Sequence, residues 1–251
     1  MTTIRVWLKL ILLVLVMMGF MMVFYTITFF KTKTIARGFS FRRRYCRAAL
    51  WILGIDYKHQ DDYSENGACL YVSNHRSLLD PLIQLGYIDA FIVSKAEVGD
   101  YPLIGRGARE TGIILVHRDS QSSRKAALGA IEEKLRAGFP VLIYPEGTTY
   151  GGELTKDFRR GAIEMAYRLG VPIVPVVIEY PLQSDYWVDG SFMEYFIQKF
   201  SRRGKHQVWG RVGPAIANSQ VKSIATDIRH AIENMMQDIR QSLPDHRYFQ
   251  S

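Results

Sequence analysis

Residues 69–80 read Cys-Leu-Tyr-Val-Ser-Asn-His-Arg-Ser-Leu-Leu-Asp, a short apolar run followed at once by a polar turn. The apolar part, residues 68–72, has the length and the side chains of a buried β-strand. Later runs of the same kind mark strands at residues 90–93, 113–116, 141–144, 173–178 and 208–212. Helical patterns fall between several of these runs. The alternation predicts an α/β fold, a mixed sheet covered by helices.

Three segments between and after these strands carry helical periodicity. Residues 124–136 place leucine and isoleucine on one face. Residues 161–169 form a second predicted helix, and Gly170 is suited to end it in the left-handed conformation. Residues 220–240 repeat apolar side chains at helical spacing. This last stripe indicates core packing rather than a ligand site.

The composition limits the possible classes of protein. A chain of 251 residues fits one sizeable α/β domain, with or without a small appendage. The two cysteines, Cys46 and Cys69, indicate no disulfide framework, and we expect both to be reduced in a cytoplasmic setting. The net charge of +8 favours nucleic acid or an anionic membrane as a partner. Because zinc-finger, helix-turn-helix and RNA-binding motifs are absent from the sequence, we expect no nucleic acid and favour the membrane.

The N-terminal region supports the membrane interpretation. Residues 10–30 contain no charged side chain, and a helix of this length crosses about 30 Å of hydrocarbon. A cleaved signal peptide is the competing interpretation, which the length of the run and the bulky pair Phe29 and Phe30 disfavour. More basic residues follow the run than precede it. The positive-inside rule therefore predicts a protein of the inner (cytoplasmic) membrane whose globular domain faces the cytoplasm.

The next segment, residues 41–55, mixes arginines with aromatic and aliphatic side chains. The mixture is typical of a helix in the membrane interface, with arginines that meet lipid phosphates. An ordinary surface helix packed on the domain is the alternative. The first two helices could also form a hairpin in one leaflet, which the sequence does not separate from a single span. The one boundary that the sequence indicates divides a membrane anchor with its interfacial helix, residues 1–55, from a globular domain, residues 56–251.

The polar turn after the first strand holds the pair of residues best suited to catalysis. His75 and Asp80 are five residues apart, and a carboxylate can orient an imidazole so that it acts as a general base. We expect Asn74 or Ser77 to cap the helix that follows. No serine nucleophile motif accompanies the pair, so the hydroxyl that His75 would activate belongs to a substrate. The alternative is a helix-capping Asp80 beside a histidine in a surface loop.

Further candidate site residues follow other predicted strands. Glu146 and Gly147 come after the strand at 141–144, where α/β sheets bind ligands and where glycine lets a substrate approach the backbone. A plain turn would explain the same residues. Arg118 and Lys95 end two other strands and could hold a phosphate or simply face solvent. The scattered histidines indicate no metal site, and the dinucleotide and phosphate-loop motifs are absent.

Four sequence blocks in this order resemble the 1-acyl-glycerol-3-phosphate acyltransferase family, the PlsC-like glycerolipid acyltransferases. The blocks are Asn-His-x-x-x-x-Asp at 74–80, a glycine, an apolar strand and an arginine at 112–118, Pro-Glu-Gly-Thr at 145–148 and Val-Pro-Ile-x-Pro at 171–175. Phe-Arg-Arg-Gly at 158–161 is similar to a further family motif. The resemblance covers residues 68–178, and the apolar N-terminus agrees with it. The ordered set favours the general-base interpretation of His75.

The resemblance implies transfer of a fatty acyl group from acyl-CoA or acyl carrier protein to the free hydroxyl of a lysophospholipid. The first choice of acceptor is 1-acyl-sn-glycerol-3-phosphate, which would give phosphatidic acid. Catalysis is assigned to His75, which deprotonates the hydroxyl, and to Asp80, which orients the imidazole. The residues expected to contact the substrates are Asn74, Lys95, Arg118, Glu146, Gly147 and Thr148. The acyl donor is a co-substrate, and no cofactor is implied.

One position departs from the family pattern. Thr149 stands where the family usually has an arginine, so a bidentate phosphate donor is lost. Arg159 or Arg160 could supply the charge instead. The alternatives are therefore an acyltransferase for a lyso-ornithine lipid or for a lysophospholipid with a larger headgroup, a non-catalytic lipid-binding membrane protein, or a hydrolase that uses water.

Overall fold

The computed structural model describes residues 2–32, 34–60, 67–100, 105, 107, 110–116, 121–188, 190–216 and 220–243. The α-helices are α1 (Thr2–Phe30), α2 (Ile35–Leu53), α3 (Asp80–Gln84), α4 (Gln121–Arg136), α5 (Gly161–Arg168), α6 (Phe192–Ser201) and α7 (Ile224–Ser242). The β-strands are β1 (Ile55–Gln60), β2 (Leu70–Ser73), β3 (Phe91–Lys95), β4 (Ile113–Val116), β5 (Val141–Ile143), β6 (Ile173–Glu179) and β7 (His206–Val212).

All the strands predicted from the sequence are present, so the predicted α/β class is confirmed. The predicted helices are present too, and Gly170 follows α5 with a φ of +68°. Two elements, β1 and α6, were not predicted from the sequence. The second half of β1 is exposed and polar, which hides its alternation. The aromatic residues of α6 have a strand-like composition, although Ser191 caps the helix by accepting a hydrogen bond from the backbone N–H of Met193.

The chain folds into two compact units. The first consists of Met1–Asp56, Pro81–Ala127 and Ser191–His206, and the second of Tyr57–Asp80, Leu128–Gly190 and Gln207–Ser251. Both units are assembled from separate segments of the chain. The division into residues 1–55 and 56–251 stays a prediction.

The second unit contains a mixed sheet with the strand order β1-β7-β6-β2-β5. β2 is parallel to both of its neighbours, β5 and β6, whereas β7 is antiparallel to β6. Every residue of β2, β5 and β6 is buried, and α7 packs on β6. Strands that are apolar along their whole length suit a parallel sheet covered on both faces. The carboxyl ends of three parallel strands therefore lie together at one edge of the sheet.

The first unit contains the parallel pair β3 and β4 and the helices α1, α2 and α6. α1 and α2 are antiparallel, because the Lys9 ammonium donates to the carbonyl oxygen of Leu53 at 2.9 Å while the rings of Phe24 and Phe41 are in contact. α1 also packs against α6. Ile4–Phe30 is long and apolar enough to cross a membrane, and 6% of its most apolar window is buried.

The second helix, α2, presents one of its faces to the first unit. Arg42 is buried there, and its guanidinium donates to the carbonyl oxygens of Ala90 at 2.8 Å and Thr111 at 2.7 Å. Arg43 and Arg47 also bond to residues of the same unit. The expectation that the arginines of this helix meet lipid phosphates is therefore wrong for Arg42, whose guanidinium is buried in the protein. It stays a prediction for Arg43 and for Arg47, which is exposed.

Candidate active site

The turn after β2 is fixed to the neighbouring strand by Asn74. The Asn74 side chain is fully buried, donates to the carbonyl oxygen of Ile178 at 2.8 Å and accepts from the Ile178 backbone N–H at 2.9 Å. The Asn74 amide therefore bonds to β6 through the same two backbone groups that a neighbouring strand would use. His75 is thereby placed at the carboxyl end of β2, the usual position of ligand sites in sheets of this kind.

Asp80 is the hydrogen-bonding centre of the turn. One of its oxygens, Oδ2, accepts from the backbone N–H groups of Arg76 at 2.6 Å and Ser77 at 2.8 Å and lies 2.8 Å from His75 Nδ1. An ionised carboxylate only accepts hydrogen bonds, so pairing with Asp80 assigns the imidazole proton to Nδ1. The lone pair of Nε2 is then free to take a proton. The pair expected from the sequence is therefore formed.

Ser77 provides the expected helix cap, because its Oγ accepts from the Leu79 backbone N–H, two residues further on, at 3.3 Å. The other candidate, Asn74, bonds to β6 instead. The Asp80 carboxylate also accepts from the backbone N–H groups of Arg76 and Ser77, which precede α3. Asp80 thus orients His75 and organises the turn at the same time.

The imidazole of His75 has a defined orientation. Its ring stacks on Tyr144, with 4.2 Å between the ring centroids and 19° between the planes. The side chain retains 15% of its exposure, whereas that of Asp80 has none. Stacking on one face and the bond to Asp80 restrict rotation of the ring, and the remaining exposure leaves a path for a substrate.

Glu146 holds the backbone of this site rather than the imidazole. Its Oε1 accepts from the backbone N–H of His75 at 2.8 Å, and its Oε2 accepts from that of Lys156 at 2.9 Å. Burial raises the pKa of Glu146, and these backbone N–H groups oppose the rise because they stabilise the ionised form. The carboxylate therefore joins the His75 turn to the segment around Lys156.

The turn after β5 lies against the guanidinium of Arg159. Gly147 has a φ of +74°, and a Cβ at this position would lie 2.6 Å from Cζ of Arg159. Only glycine combines this backbone conformation with such close contact by a guanidinium. Arg159 is exposed, so its charge is available to an anion beside the turn.

Thr149 lies in the same turn with a different environment. The residue is 5% exposed, and its hydroxyl has no hydrogen-bond partner among the residues that the structure describes. Thr148, in contrast, is exposed. A buried hydroxyl without a partner is unusual, because its desolvation is not compensated. Thr149 therefore holds an unused polar group next to Thr148 and Tyr150.

The buried residue Arg76 was not singled out from the sequence. Its guanidinium donates to the carbonyl oxygens of Tyr150 at 2.8 Å, Gly152 at 2.6 Å and Glu153 at 3.1 Å. The backbone N–H of Tyr150 in turn donates to the His75 carbonyl oxygen at 2.9 Å. Arg76 therefore fastens the loop after Thr149 to the His75 turn. The sequence around Arg76 does not predict these bonds, because the acceptors are backbone atoms more than seventy residues away.

The structure thus brings together five of the predicted site residues: Asn74, His75, Asp80, Glu146 and Gly147. Lys95 ends β3, but its side chain is not among the parts that the structure describes, and Arg118 lies outside the described residues. Their predicted contacts with substrate stay predictions. Within the described ranges, no group of three or more His, Cys, Asp or Glu residues could hold a metal ion.

A buried carboxylate bonded to a partly exposed histidine at the end of parallel strands has the geometry of a general-base pair. Comparison with known sequences identifies the class. Residues 54–179, half of the chain, match the family described as Acyltransferase, and the chain belongs to this family. The matched region includes the whole of the turn from Asn74 to Asp80. The family predicted from the sequence blocks is confirmed.

Two relatives illustrate the range of the family. The chain is 34% identical to a 1-acyl-sn-glycerol-3-phosphate acyltransferase of Helicobacter pylori over 139 residues, 54% of this chain and 58% of the relative. It is 30% identical to a lyso-ornithine lipid O-acyltransferase of Rhodobacter capsulatus over 176 residues, 65% of this chain and 63% of the relative. The chain thus spans less than two thirds of either relative.

The fold has a counterpart in a crystal structure. The 1-acyl-sn-glycerophosphate acyltransferase PlsC from Thermotoga maritima superposes with a TM-score of 0.75 over 95% of this chain and 97% of that one. The sequence identity is 15%, so this likeness concerns the fold alone. It confirms the predicted fold class.

Proposed function

We propose that the chain is a membrane-bound acyltransferase that moves a fatty acyl group from acyl-CoA or acyl carrier protein to the free hydroxyl of a lysophospholipid. The first choice of acceptor is 1-acyl-sn-glycerol-3-phosphate, with phosphatidic acid as the product. The observation that carries the proposal is the His75–Asp80 hydrogen bond at 2.8 Å in a chain of the Acyltransferase family. The absence of a serine nucleophile motif from the sequence agrees with direct attack by the acceptor.

The proposed reaction uses Nε2 of His75 as the base. Nε2 takes the proton of the acceptor hydroxyl while the hydroxyl oxygen attacks the thioester carbonyl. The resulting tetrahedral species expels the donor thiolate, which recovers the proton from the imidazolium, so an ester and a free thiol are formed. Asp80 stabilises the transient imidazolium through Nδ1. General base catalysis of this kind contributes about 10²–10⁴-fold to the rate.

Arg159 is the proposed ligand for a phosphate on the acceptor. Its guanidinium lies against Gly147, one turn from the carboxylate that fixes the His75 backbone. A guanidinium binds phosphate with two parallel hydrogen bonds. Arg159 would therefore replace the arginine that the family usually has at Thr149. Lys95 and Arg118 remain further candidates for the same phosphate.

Thr149 favours a second candidate function, acyl transfer to a lyso-lipid with another headgroup. A buried hydroxyl suits a neutral polar group better than a phosphate dianion. The lyso-ornithine lipid O-acyltransferase of Rhodobacter capsulatus aligns over a longer segment than the Helicobacter pylori relative. Both kinds of acceptor carry the reacting hydroxyl. They differ in the headgroup that the turn after β5 would bind.

The contacts of α1 and α2 support attachment to a membrane as a hairpin. α2 runs antiparallel to α1 and is bonded to the rest of the first unit through Arg42, while α1 packs against α2 and α6 and stays largely exposed. A helix in this position presents its remaining apolar side chains to one leaflet. Trp51, 81% exposed, would lie at the interface between membrane and water.

The hairpin is tested by labelling from the two sides of the membrane. Cysteines introduced at Ile4 and at Phe30 should react with an impermeant reagent from the same side. Labelling from opposite sides would instead establish a span.

The acceptor is tested directly with purified protein in detergent and radiolabelled acyl donor. Separate reactions contain lysophosphatidate, a lyso-ornithine lipid or a lysophospholipid with a larger headgroup, each with acyl-CoA or acyl carrier protein. His75→Ala is the control. We expect the unmodified protein to acylate lysophosphatidate, which is 1-acyl-sn-glycerol-3-phosphate. In the variant we expect the rate of this reaction to fall at least 10²-fold.

Other outcomes discriminate among the alternatives. Product from a different lyso-lipid but not from lysophosphatidate would overturn the first choice of acceptor and keep the acyltransferase mechanism. Release of free fatty acid without acylated lipid identifies a hydrolase. Binding of lyso-lipid without turnover by any donor identifies a lipid-binding protein.

A further inference from the structure

The Asp80 carboxylate has a second hydrogen-bonded oxygen that the mechanism above does not use. While Oδ2 serves His75 and two backbone N–H groups, Oδ1 accepts from the hydroxyl of Tyr180 at 2.5 Å. Tyr180 is 2% exposed, and Asp80 is fully buried. A hydrogen bond between buried partners is electrostatically strong because little solvent screens it.

The position of Tyr180 is fixed by the end of β6. Asn74 pairs with Ile178 two residues earlier, so the strand that carries Tyr180 is joined to the turn that carries His75. The Tyr180 ring meets Tyr186 edge to face, with centroids 6.1 Å apart. These contacts hold the Tyr180 hydroxyl beside Asp80.

A neighbouring tyrosine has a different partner. The Tyr186 hydroxyl donates to Glu179, and Glu179 also pairs with Arg240 at 2.9 Å. The guanidinium of Arg76 lies 5.0 Å above the Tyr186 ring. Two buried tyrosines in ring contact thus serve two different carboxylates, of which only the carboxylate of Asp80 reaches His75.

We propose that Tyr180 is a positioning residue that lowers the proton affinity of His75 by hydrogen-bonding to Asp80. The proposal deepens the function proposed above and rests on His75 as the base. A donor on Oδ1 withdraws negative charge from the carboxylate, which then stabilises the imidazolium less. The same bond fixes the plane of the carboxylate and so the direction of Nδ1–H.

Other charged groups around the pair are accounted for by their own contacts. Glu146 bonds to the His75 backbone rather than to its ring and acts on the imidazole only as a nearby charge, and the Arg76 guanidinium is engaged by backbone carbonyls. Glu179 and Arg240 form an ion pair whose charges offset each other. Tyr180 is the side-chain hydroxyl in contact with Asp80, so its removal changes the carboxylate without changing a charge.

The test compares Tyr180→Phe with Tyr186→Phe. Each variant removes one hydroxyl from the same buried aromatic pair, but only the first removes a donor to Asp80. The pKa of His75 is measured by NMR on protein with labelled histidine, its signal being assigned by its loss in His75→Gln. We expect Tyr180→Phe to raise the pKa of His75 by about half a unit to one unit and Tyr186→Phe to leave it in place.

Activity is a second readout. In Tyr180→Phe the acidic limb of the plot of kcat against pH should move to higher pH by as much as the pKa of His75 rises. At neutral pH kcat should fall about 3- to 30-fold, with KM unchanged. An unchanged His75 pKa in Tyr180→Phe, or an equal shift in Tyr186→Phe, would overturn the proposal. Because the NMR titration needs no turnover, failure of the proposed acyltransferase function would be seen separately, as a lack of product from the unmodified protein.

Discussion

Two turns of the second unit each bring a buried carboxylate to His75, and they do so in different ways. In the turn from Asn74 to Asp80, the carboxylate contacts the imidazole and is joined by Tyr180. In the turn after β5, Glu146 contacts the backbone N–H of His75 and that of Lys156. The first contact orients the imidazole ring, whereas the second fixes the backbone that carries it. Removing each carboxylate should therefore have separable effects on kinetics and on stability.

The largest effect is expected from His75→Ala. Loss of the base should lower kcat about 10²–10⁴-fold while the protein stays folded, because Asp80 keeps its backbone N–H donors without the imidazole. Radiolabelled acyl transfer and circular dichroism measure the two quantities. His230→Ala, which truncates an exposed histidine of α7, is the matched control. Activity close to that of the unmodified protein in His75→Ala would refute the proposed mechanism.

Asp80→Asn should come next, with a loss in kcat of about 10²–10³-fold and little change in KM. The amide of asparagine cannot accept from all the donors that meet the carboxylate, so the turn loosens and the His75 tautomer is no longer fixed. We expect the free energy of unfolding to fall by about 1–3 kcal/mol as well. A variant that is less stable but fully active would show that Asp80 only builds the turn.

Glu146→Gln tests the other carboxylate. Glutamine has one acceptor oxygen for two backbone N–H groups, so one of them loses its partner and the free energy of unfolding falls by about 1–3 kcal/mol. Activity should fall less than in Asp80→Asn, and the pH profile of kcat should keep its shape. An altered acidic limb would indicate that Glu146 also acts on the imidazole.

The raised pKa of Glu146 adds a pH dependence to this prediction. The folded protein binds a proton at Glu146 at pH values where the unfolded chain has lost it. Stability from this group therefore falls as the pH rises from the ordinary glutamate value of 4.5 through the raised folded value. Denaturant unfolding at a series of pH values should show this slope in the unmodified protein and lose it in Glu146→Gln.

A smaller effect is expected from Arg159→Gln. If the guanidinium beside Gly147 binds the acceptor phosphate, KM for lysophosphatidate should rise about tenfold, the loss of one charge-assisted hydrogen bond, with kcat nearly unchanged. Arg160→Gln, an exposed arginine at the next position, is the matched control. Equal effects in both variants would indicate general attraction of an anion rather than a specific contact.

The smallest effect is expected from Thr149→Val, which keeps the shape of the side chain and removes the hydroxyl. Because this hydroxyl has no partner among the described residues, stability should stay within about 0.5 kcal/mol or rise slightly. If the hydroxyl meets a headgroup, KM rises for that acceptor alone. Identical KM values for every lyso-lipid in Thr149→Val would remove Thr149 from the headgroup site.

Some elements of the fold are predictable from the sequence and others are not, for physical reasons. Strands that are buried on both faces have continuous apolar runs, so β2, β5 and β6 were recognisable from local composition alone. β1 was missed because half of it is polar, and α6 because its aromatic residues resemble those of a strand. Arg42, assigned to the lipid interface from its charge, is buried because carbonyl oxygens of distant segments accept its hydrogen bonds.

The sequence by itself determined the α/β class, the apolar N-terminal helix and the pair His75 and Asp80, since each depends on neighbours within a few residues. Tertiary structure alone decided what holds that pair. Asn74 bonds to a residue 104 positions later, and Tyr180 donates to Asp80 across 100 positions. Hydrogen bonds between strand ends and turns depend on the register of the sheet, which joins residues that no local pattern relates.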